Sequence, residues 1–293
     1  MELLNTAEAA RYLRLGERKL YELVAEAAIP CTKVTGKWLF PREELDRWLR
    51  AGMQRPEGLP QKDAPPIVGG SQDSLLEWAL RESGSGLATL SEGTESGVRR
   101  LLRGEVVAAA VHYHSDADGV DANTRALETN SGLHDGVLVG FARREQGLLL
   151  QPGNPKQLST VADVLAKRAT MAVRQPGAGA QMLFDVLLAR AGIKPRELKL
   201  LDPPCLTGPD LAAAIRSGQA DCGIATRAAA KSAGLDFQPL LFENFDLMMR
   251  QRSYFLPPMQ ALMRFVGERR LKARAADLSG YDVTGAGKVR FAK

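Results

Sequence analysis

The chain is short of cysteine, of aromatic residues and of long apolar runs. Its 293 residues include three cysteines, Cys31, Cys205 and Cys222, at scattered positions. That number and spacing exclude a disulfide framework and the familiar zinc-finger spacings, and they suit a reducing cytoplasm. No uninterrupted apolar stretch approaches the roughly 20 residues that cross a bilayer. No apolar signal region precedes Thr6 and Glu8, where a helical pattern begins at once. Neither a Walker loop nor a nucleophile elbow occurs, which removes the commonest nucleotide and acyl-transfer chemistries. Extreme charge is also missing. A net charge of +5 permits a polyanionic partner without requiring one. Much of the excess lies between Arg264 and Lys293, with eight basic and three acidic residues. Core-forming material is not lacking, since 45% of residues are hydrophobic, and the length suggests about two domains.

The first fifty residues carry the densest pattern. Thr6 can cap a helix over Ala7 to Leu13 with Ala9, Ala10 and Leu13 on one face. Leu15-Gly16 interrupts it, and Leu20, Leu23, Val24 and Ala27 space a second helix that Pro30 stops. Lys33 to Phe40 alternates around Thr35-Gly36, as a short hairpin does. Pro41 then opens a third helix from Arg42 to Arg50, turning Leu45, Trp48 and Leu49 inward. A helix and wing arranged in this order fit adjacent grooves of one duplex. Acidic and basic residues nearly balance here, so a protein-interaction module with solvated charges fits the charge pattern equally. Tyr12, Tyr21 and Trp38 are of a size to be packing residues.

With Ala9-Ala10-Arg11-Tyr12-Leu13, Lys19-Leu20-Tyr21-Glu22-Leu23, Ile29-Pro30 and Gly36-Lys37-Trp38-Leu39-Phe40-Pro41 in view, the stretch resembles the excisionase-type, MerR-like winged helix-turn-helix family. The resemblance covers about a sixth of the chain and departs from the family pattern at Gly16-Glu17. It implies that Arg18, Lys19 and Tyr21 face double-stranded DNA from the second helix, and Lys33, Thr35 and Lys37 from the wing.

Gln54 to Pro66, with four prolines, reads as a linker. The expected division is a DNA-binding domain at 1–53, a linker at 54–66 and a second domain at 67–293. In the second domain short apolar strands alternate with helices. Strands are expected at Ile67–Ser71, Leu87–Leu90, Val106–Val111, Val137–Phe141, Met171–Val173, Lys199–Leu201 and Cys222–Ala225. Helices are expected at Ser74–Arg81, Glu95–Leu102, Gly179–Ala191 and Gly208–Ser217. Two further apolar runs, Pro239–Phe242 and Phe245–Met249, lead to terminal helices. This rhythm predicts α/β architecture with mostly parallel sheets. Ligands in such sheets bind beyond the carboxyl ends of strands, where helix starts offer unpaired N–H groups. The strand-to-helix turns here carry Gly69-Gly70-Ser71, Ser91 to Gly97, Arg174 to Gly179, and Leu206-Thr207-Gly208.

Arg174-Gln175-Pro176-Gly177-Ala178-Gly179, Ser217 to Ile224 and Gly280 to Gly285, with the order of elements, resemble the periplasmic-binding-protein-like domain found fused to helix-turn-helix modules in bacterial one-component regulators. Molybdate and tungstate binding proteins are related. The resemblance covers about Ile67 to Arg290 and implies a two-lobed, type II α/β domain. It implies a small oxyanion, most of all molybdate or tungstate, held by Ser71, Thr94, Ser96 and Arg174, with Gly177, Gly179 and Thr207 in the same turns. The bound anion would act as effector, and no cofactor is expected.

Other readings stay open beside these. Ser71, Thr94, Ser96 and Thr207 are residue types that cap helices in any case, and Arg174 can pair with Asp202 or Asp221. His112 and His114 share a strand face, with Asp116 and Asp118 beyond, and could bind a metal. The only other histidine is His134 and no zinc-enzyme motif is present, so neither a metal nor catalysis is expected. Cys205 and Cys222 read as small core residues. The functional expectation is a cytoplasmic, dimeric, DNA-binding regulator with no membrane partner. A sensor of a molybdenum-cofactor species, an enzyme of cofactor metabolism fused to a DNA-binding module, and a ligand-free recombination factor are the alternatives.

Overall fold

The computed structural model describes residues 2–34, 36–52, 64–114 and 121–293. The backbone divides into two compact units, residues 1–56 and 57–293. Most of the expected linker lies outside the described residues, as do Thr35, Asp116 and Asp118.

The first unit comprises β1 (Leu3–Leu4), α1 (Thr6–Tyr12), α2 (Glu17–Ala25), β2 (Phe40–Pro41) and α3 (Arg42–Ala51). Asn5, not Thr6, caps α1: its side chain accepts from the Glu8 N–H, and Glu8 answers by accepting from the Asn5 N–H. α2 ends at Ala25, so Ala27 lies past it, with a positive φ of 51°. The expected hairpin is reduced to a single antiparallel bridge between Thr32 and Leu39, while β1 and β2 pair antiparallel. Ala9, Ala10, Leu20, Ile29, Phe40 and Leu45 make the core, with Leu13, Leu23, Val24 and Trp48 packed on it. Trp48 keeps its indole N–H satisfied on the Ala28 carbonyl.

The second unit continues with β3 (Ile67–Gly70), α4 (Ser74–Glu82), β4 (Ala88–Ser91), α5 (Thr94–Leu102), β5 (Ala108–Val111), α6 (Ala122–Thr129) and β6 (Gly136–Leu150). Next come α7 (Val161–Ala166), β7 (Thr170–Ala172), α8 (Gly179–Ala191), β8 (Lys199–Leu200), α9 (Gly208–Arg216), β9 (Cys222–Thr226) and α10 (Arg227–Ala233). The chain closes with β10 (Asp236–Arg250), α11 (Gln251–Tyr254), α12 (Pro257–Val266), α13 (Arg269–Leu278), β11 (Tyr281–Asp282) and β12 (Val289–Ala292).

The strand order is β4-β3-β5-β10-β6-β9-β7-β8, with β11 and β12 also on β6. The sheet is mixed. β3 pairs parallel with β4 and β5, and β7 parallel with β8 and β9, but β6 and β10 run antiparallel to their neighbours. These two 15-residue strands are the main departure from the expected pattern. Val137–Phe141 is only the start of β6, and the two runs at 239–242 and 245–249 are parts of one strand. Gln146 to Leu150 of β6 pair with β9, and Asp246 to Met249 of β10 pair with β5. β6 and β10 therefore run from one lobe into the other, which makes the domain two-lobed.

Each lobe is a sheet packed on both faces, as α/β physics requires of strands that are apolar throughout. In the first lobe, α4, α12 and α13 bury Leu75, Leu76, Leu262, Phe265 and Leu271 against Val139, Phe141, Leu247 and Met249. Val98, Leu101 and Leu127 of α5 and α6 close the other face over Val111, Leu138 and Met248. In the second lobe α7 and α8 pack on one side through Val164, Leu183 and Phe184, and α9 on the other through Leu211 and Ile215. A side chain of this kind, fully buried, contributes roughly 1.5–3 kcal/mol.

Candidate functional site

The turns after β3, β5, β7 and β9 open onto one cleft of about 70 Å³. Its lining includes Ser71, Gln72, Asp73, Gly93, His112, Arg144, Gln146, Arg174, Gly179, Gly208 and Thr226. That volume is room for about five water molecules. The starts of α4, α5, α8, α9 and α10 border it. Three of the five carry their own caps: Asp73 accepts from the Leu76 N–H at α4, Thr207 from the Asp210 N–H at α9, and Thr226 from the Ala229 N–H at α10. The other two, with Gly93 and Ala178 at the cap positions, have no side-chain cap. The first N–H groups of α5 and α8 thus meet no capping side chain, although the Glu95 N–H of α5 is taken by the Gly177 carbonyl.

The residues expected at the ligand separate here. Ser71, Arg174 and Gly179 line the cleft. Thr94 is fully buried one layer behind, its hydroxyl 2.7 Å from that of Ser71. Ser96 faces away and accepts from Arg99. Gly177 touches the start of α5, where its carbonyl accepts from the Glu95 N–H. Thr207 is occupied as the α9 cap. Arg174 pairs with neither Asp202 nor Asp221: its Nε and Nη2 donate to the Cys205 and Leu206 carbonyls, while Asp221 holds Lys156. Burial lowers the pKa of Arg174 from its ordinary value.

Beneath the cleft lies a buried network that was not expected. Arg144 sits mid-β6 directly opposite Glu243 of β10. Its Nε donates to Glu243 Oε1 at 2.7 Å and its Nη1 to Asp73 Oδ2 at 2.9 Å, with 2% of the side chain exposed. Phe245 stacks under the guanidinium at 4.0 Å. Gln146 Nε2 adds a bond to Glu243 Oε1, and the Tyr281 hydroxyl donates to Asp73 Oδ2. His112 Nδ1 lies 3.0 Å from Glu243 Oε2. Burial drives the His112 pKa down to about 4, against the pull of Glu243, so the ring is neutral at pH 7. Burial also opposes the charge on Glu243, but Arg144 and His112 hold its carboxyl well below the usual range. The available signal was local: Arg143 to Gln146 interrupt an otherwise apolar β6, and Glu243-Asn244 separate the two apolar runs of β10.

In the first unit the expected DNA-facing side chains lie on the surface. Arg18 is 95% exposed and Lys19 55%, and both reach Glu22. Tyr21 is half-exposed rather than packed. Lys33 lies over the Trp38 ring at 5.2 Å, and Lys37 is exposed.

Comparison with known proteins fits this architecture. Residues 3–53 match the helix-turn-helix domain, and residues 76–267 match the PBP superfamily domain. The chain belongs to the PBP superfamily. It is 25% identical to the uncharacterized protein YvgK of Bacillus subtilis over 299 residues, covering 96% of both chains. Its fold is similar to that of the tungstate ABC transporter from Geobacter sulfurreducens, at 15% identity and a TM-score of 0.52, over 72% of this chain and 97% of that one. It is also similar to the regulatory domain of CcmR from Synechocystis in complex with 2-PG, at 11% identity and a TM-score of 0.51, over 71% of this chain and 94% of that one. The family matches show a helix-turn-helix domain followed by a PBP-superfamily domain, and the solved structures share its two-lobed α/β fold. Among the described residues no helix is long and apolar enough to cross a membrane.

Proposed function

We propose that this protein is a cytoplasmic, DNA-binding transcription regulator whose second domain senses a small oxyanion, molybdate or tungstate above others. The observation that carries the reading is the cleft, where two uncapped helix starts and Arg174 border a space of about 70 Å³. Helix starts stabilise anions through free N–H groups and the helix dipole. Ser71, backed by Thr94, adds a hydroxyl. Neither Glu92 nor Glu95 lines the cleft: Glu92 is held by Arg100, and the Glu95 carboxylate lies beside Gly177, 3.9 Å from Arg99. Room for about five waters suits a tetrahedral anion better than a pterin-bearing cofactor species. The relation to a tungstate transporter supports the same ligand class, and the relation to a regulatory domain supports the sensing role.

The second helix and wing would carry Arg18, Lys19, Tyr21, Lys33, Thr35 and Lys37 to the duplex. A single small module buries little DNA surface, so a homodimer on two half-sites is the expected assembly. Effector binding would couple to operator affinity through the lobes. Calorimetry with molybdate, tungstate, sulfate and phosphate on the full chain tests the ligand, and native mass spectrometry the dimer. Binding of none of the four anions would overturn the oxyanion assignment.

A further inference from the structure

The buried network beneath the cleft holds more than an ion pair needs. Asp73 and Glu243 converge on the single guanidinium of Arg144. Glu243 Oε1 is taken by Arg144 and Gln146, which leaves Oε2 turned toward two imidazoles. His112 Nδ1 lies 3.0 Å from Oε2 and His114 Nε2 2.9 Å. The three donor atoms lie within 4.8 Å of one another, and all three side chains are more than nine-tenths buried. His114 Nε2 is not aligned for a hydrogen bond with Oε2 and has no hydrogen-bond partner. A buried ring nitrogen 2.9 Å from a carboxylate without bonding it is unusual, because an unmet buried polar atom costs about 1–3 kcal/mol.

We propose that His112, His114 and Glu243 form a binding site for one divalent transition-metal ion of the zinc class. Two imidazoles and a carboxylate are a donor set that zinc accepts, whereas calcium and magnesium prefer oxygen alone. Ligands about 2.0–2.1 Å from a tetrahedral ion lie roughly 3.3 Å apart. The contacts to Oε2 need to open by only a few tenths of an ångström to admit the ion. The histidines come from the end of β5, two residues apart, and Glu243 from β10, the adjacent strand. Arg144 and Gln146 fix the carboxylate from its far oxygen, the second layer of contacts that metal ligands usually have. The ion supplies the second positive charge that two carboxylates sharing one guanidinium call for. Three protein donors leave a fourth position, and His112 lines the cleft, so a small anion there could complete the shell. The site goes beyond the effector reading and stands whether or not molybdate binds.

The test uses the full chain with any affinity tag removed, stripped by a chelator and titrated with zinc(II) alone. Metal analysis and calorimetry should give one equivalent per chain, and cobalt(II) should give the visible absorption of a low-coordinate site. His114→Gln and Glu243→Gln should weaken zinc binding more than the roughly 10–100-fold typical of second-layer changes. His134→Ala, at an exposed histidine, should leave it unchanged. Circular dichroism of each variant separates lost binding from lost fold; if His114→Gln does not fold, His112→Gln takes its place. Failure of the wild type to take up zinc or cobalt overturns the site, as does equal uptake by folded His114→Gln. Anion titrations on the stripped protein run separately, so a failed metal site and a failed anion site are distinguishable.

Discussion

Arg18 and Arg144 are the same residue in opposite circumstances. Arg18 stands on one exposed turn of α2, loosely held by Glu22 four residues on. Arg144 is sealed between β10 and the start of α4, with partners 99 and 71 positions away. An exposed pair of the first kind contributes roughly 0–1 kcal/mol, and its charge stays available to a partner. A buried cation of the second kind is committed to its carboxylates, and its loss leaves them unpaired. The difference separates how the two domains use charge. The helix-turn-helix offers it outward from local elements, while the second domain locks it inward among buried carboxylates.

The sharpest way to break this contrast is Arg144→Met. Two buried carboxylates without their cation should cost about 3–5 kcal/mol in urea unfolding, and adding Glu243→Gln should recover part of it. A loss below about 1 kcal/mol would show that water reaches the network.

A second buried charge should respond to pH. Burial pushes the Asp246 carboxyl up to about 6, despite bonds from Asn123 and Arg290. Its folded pKa lies above the unfolded value of about 3.9, so the folded state holds this proton more tightly. Between about pH 4 and pH 6 its contribution should therefore fall as pH rises, by up to about 3 kcal/mol in all. The fall should be absent from Asp246→Asn. Equal slopes in the two proteins would remove Asp246 from the account.

Next in size is Arg174→Ala. Losing one charge-assisted hydrogen bond of about 1.5–3 kcal/mol should weaken anion binding by about one to two decades in calorimetry. Ser71→Ala should cost less, about 0.5–1.5 kcal/mol.

The smallest effect on folding, and the clearest on DNA, belongs to Arg18, Lys19 and Lys37. The triple alanine variant should change stability by no more than about 0.5 kcal/mol. Each phosphate contact it removes should flatten the log–log salt slope of operator binding by about 0.9. An unaltered slope would sever these residues from the interface.

What could be read in advance follows the same division. α8 falls at its expected limits, because its signals are local: an apolar repeat and Gly192 at its end. The short parallel strands lie within a residue or two of expectation for the same reason. β6 and β10 are longer than their apolar runs because polar residues mid-strand look like turns in sequence, and only distant partners, such as Glu243 for Arg144 and Arg227 for Glu145, account for them. α6, α7 and α10 were missed as brief helices whose faces pack on distant strands. At the cleft, Ser71, Arg174 and Gly179 were legible as turn residues. The His112–Glu243 contact, spanning 131 positions, was not. His112 and His114 share a strand face in the sequence, but their third partner, Glu243, sits on a strand whose neighbours only the fold decides.

Gly179 sets a mechanical tolerance. A methyl group placed on its Cα would lie 2.2 Å from the His112 ring, although the imidazole belongs to one lobe and α8 to the other. Gly93 is less tight, where the same addition would meet the Gly177 carbonyl at 3.1 Å. At Gly179 the two halves thus meet with no room for a methyl group unless the His112 ring shifts, like the jaws of a caliper closed to zero. In such a gauge a single carbon atom is enough to hold the jaws apart.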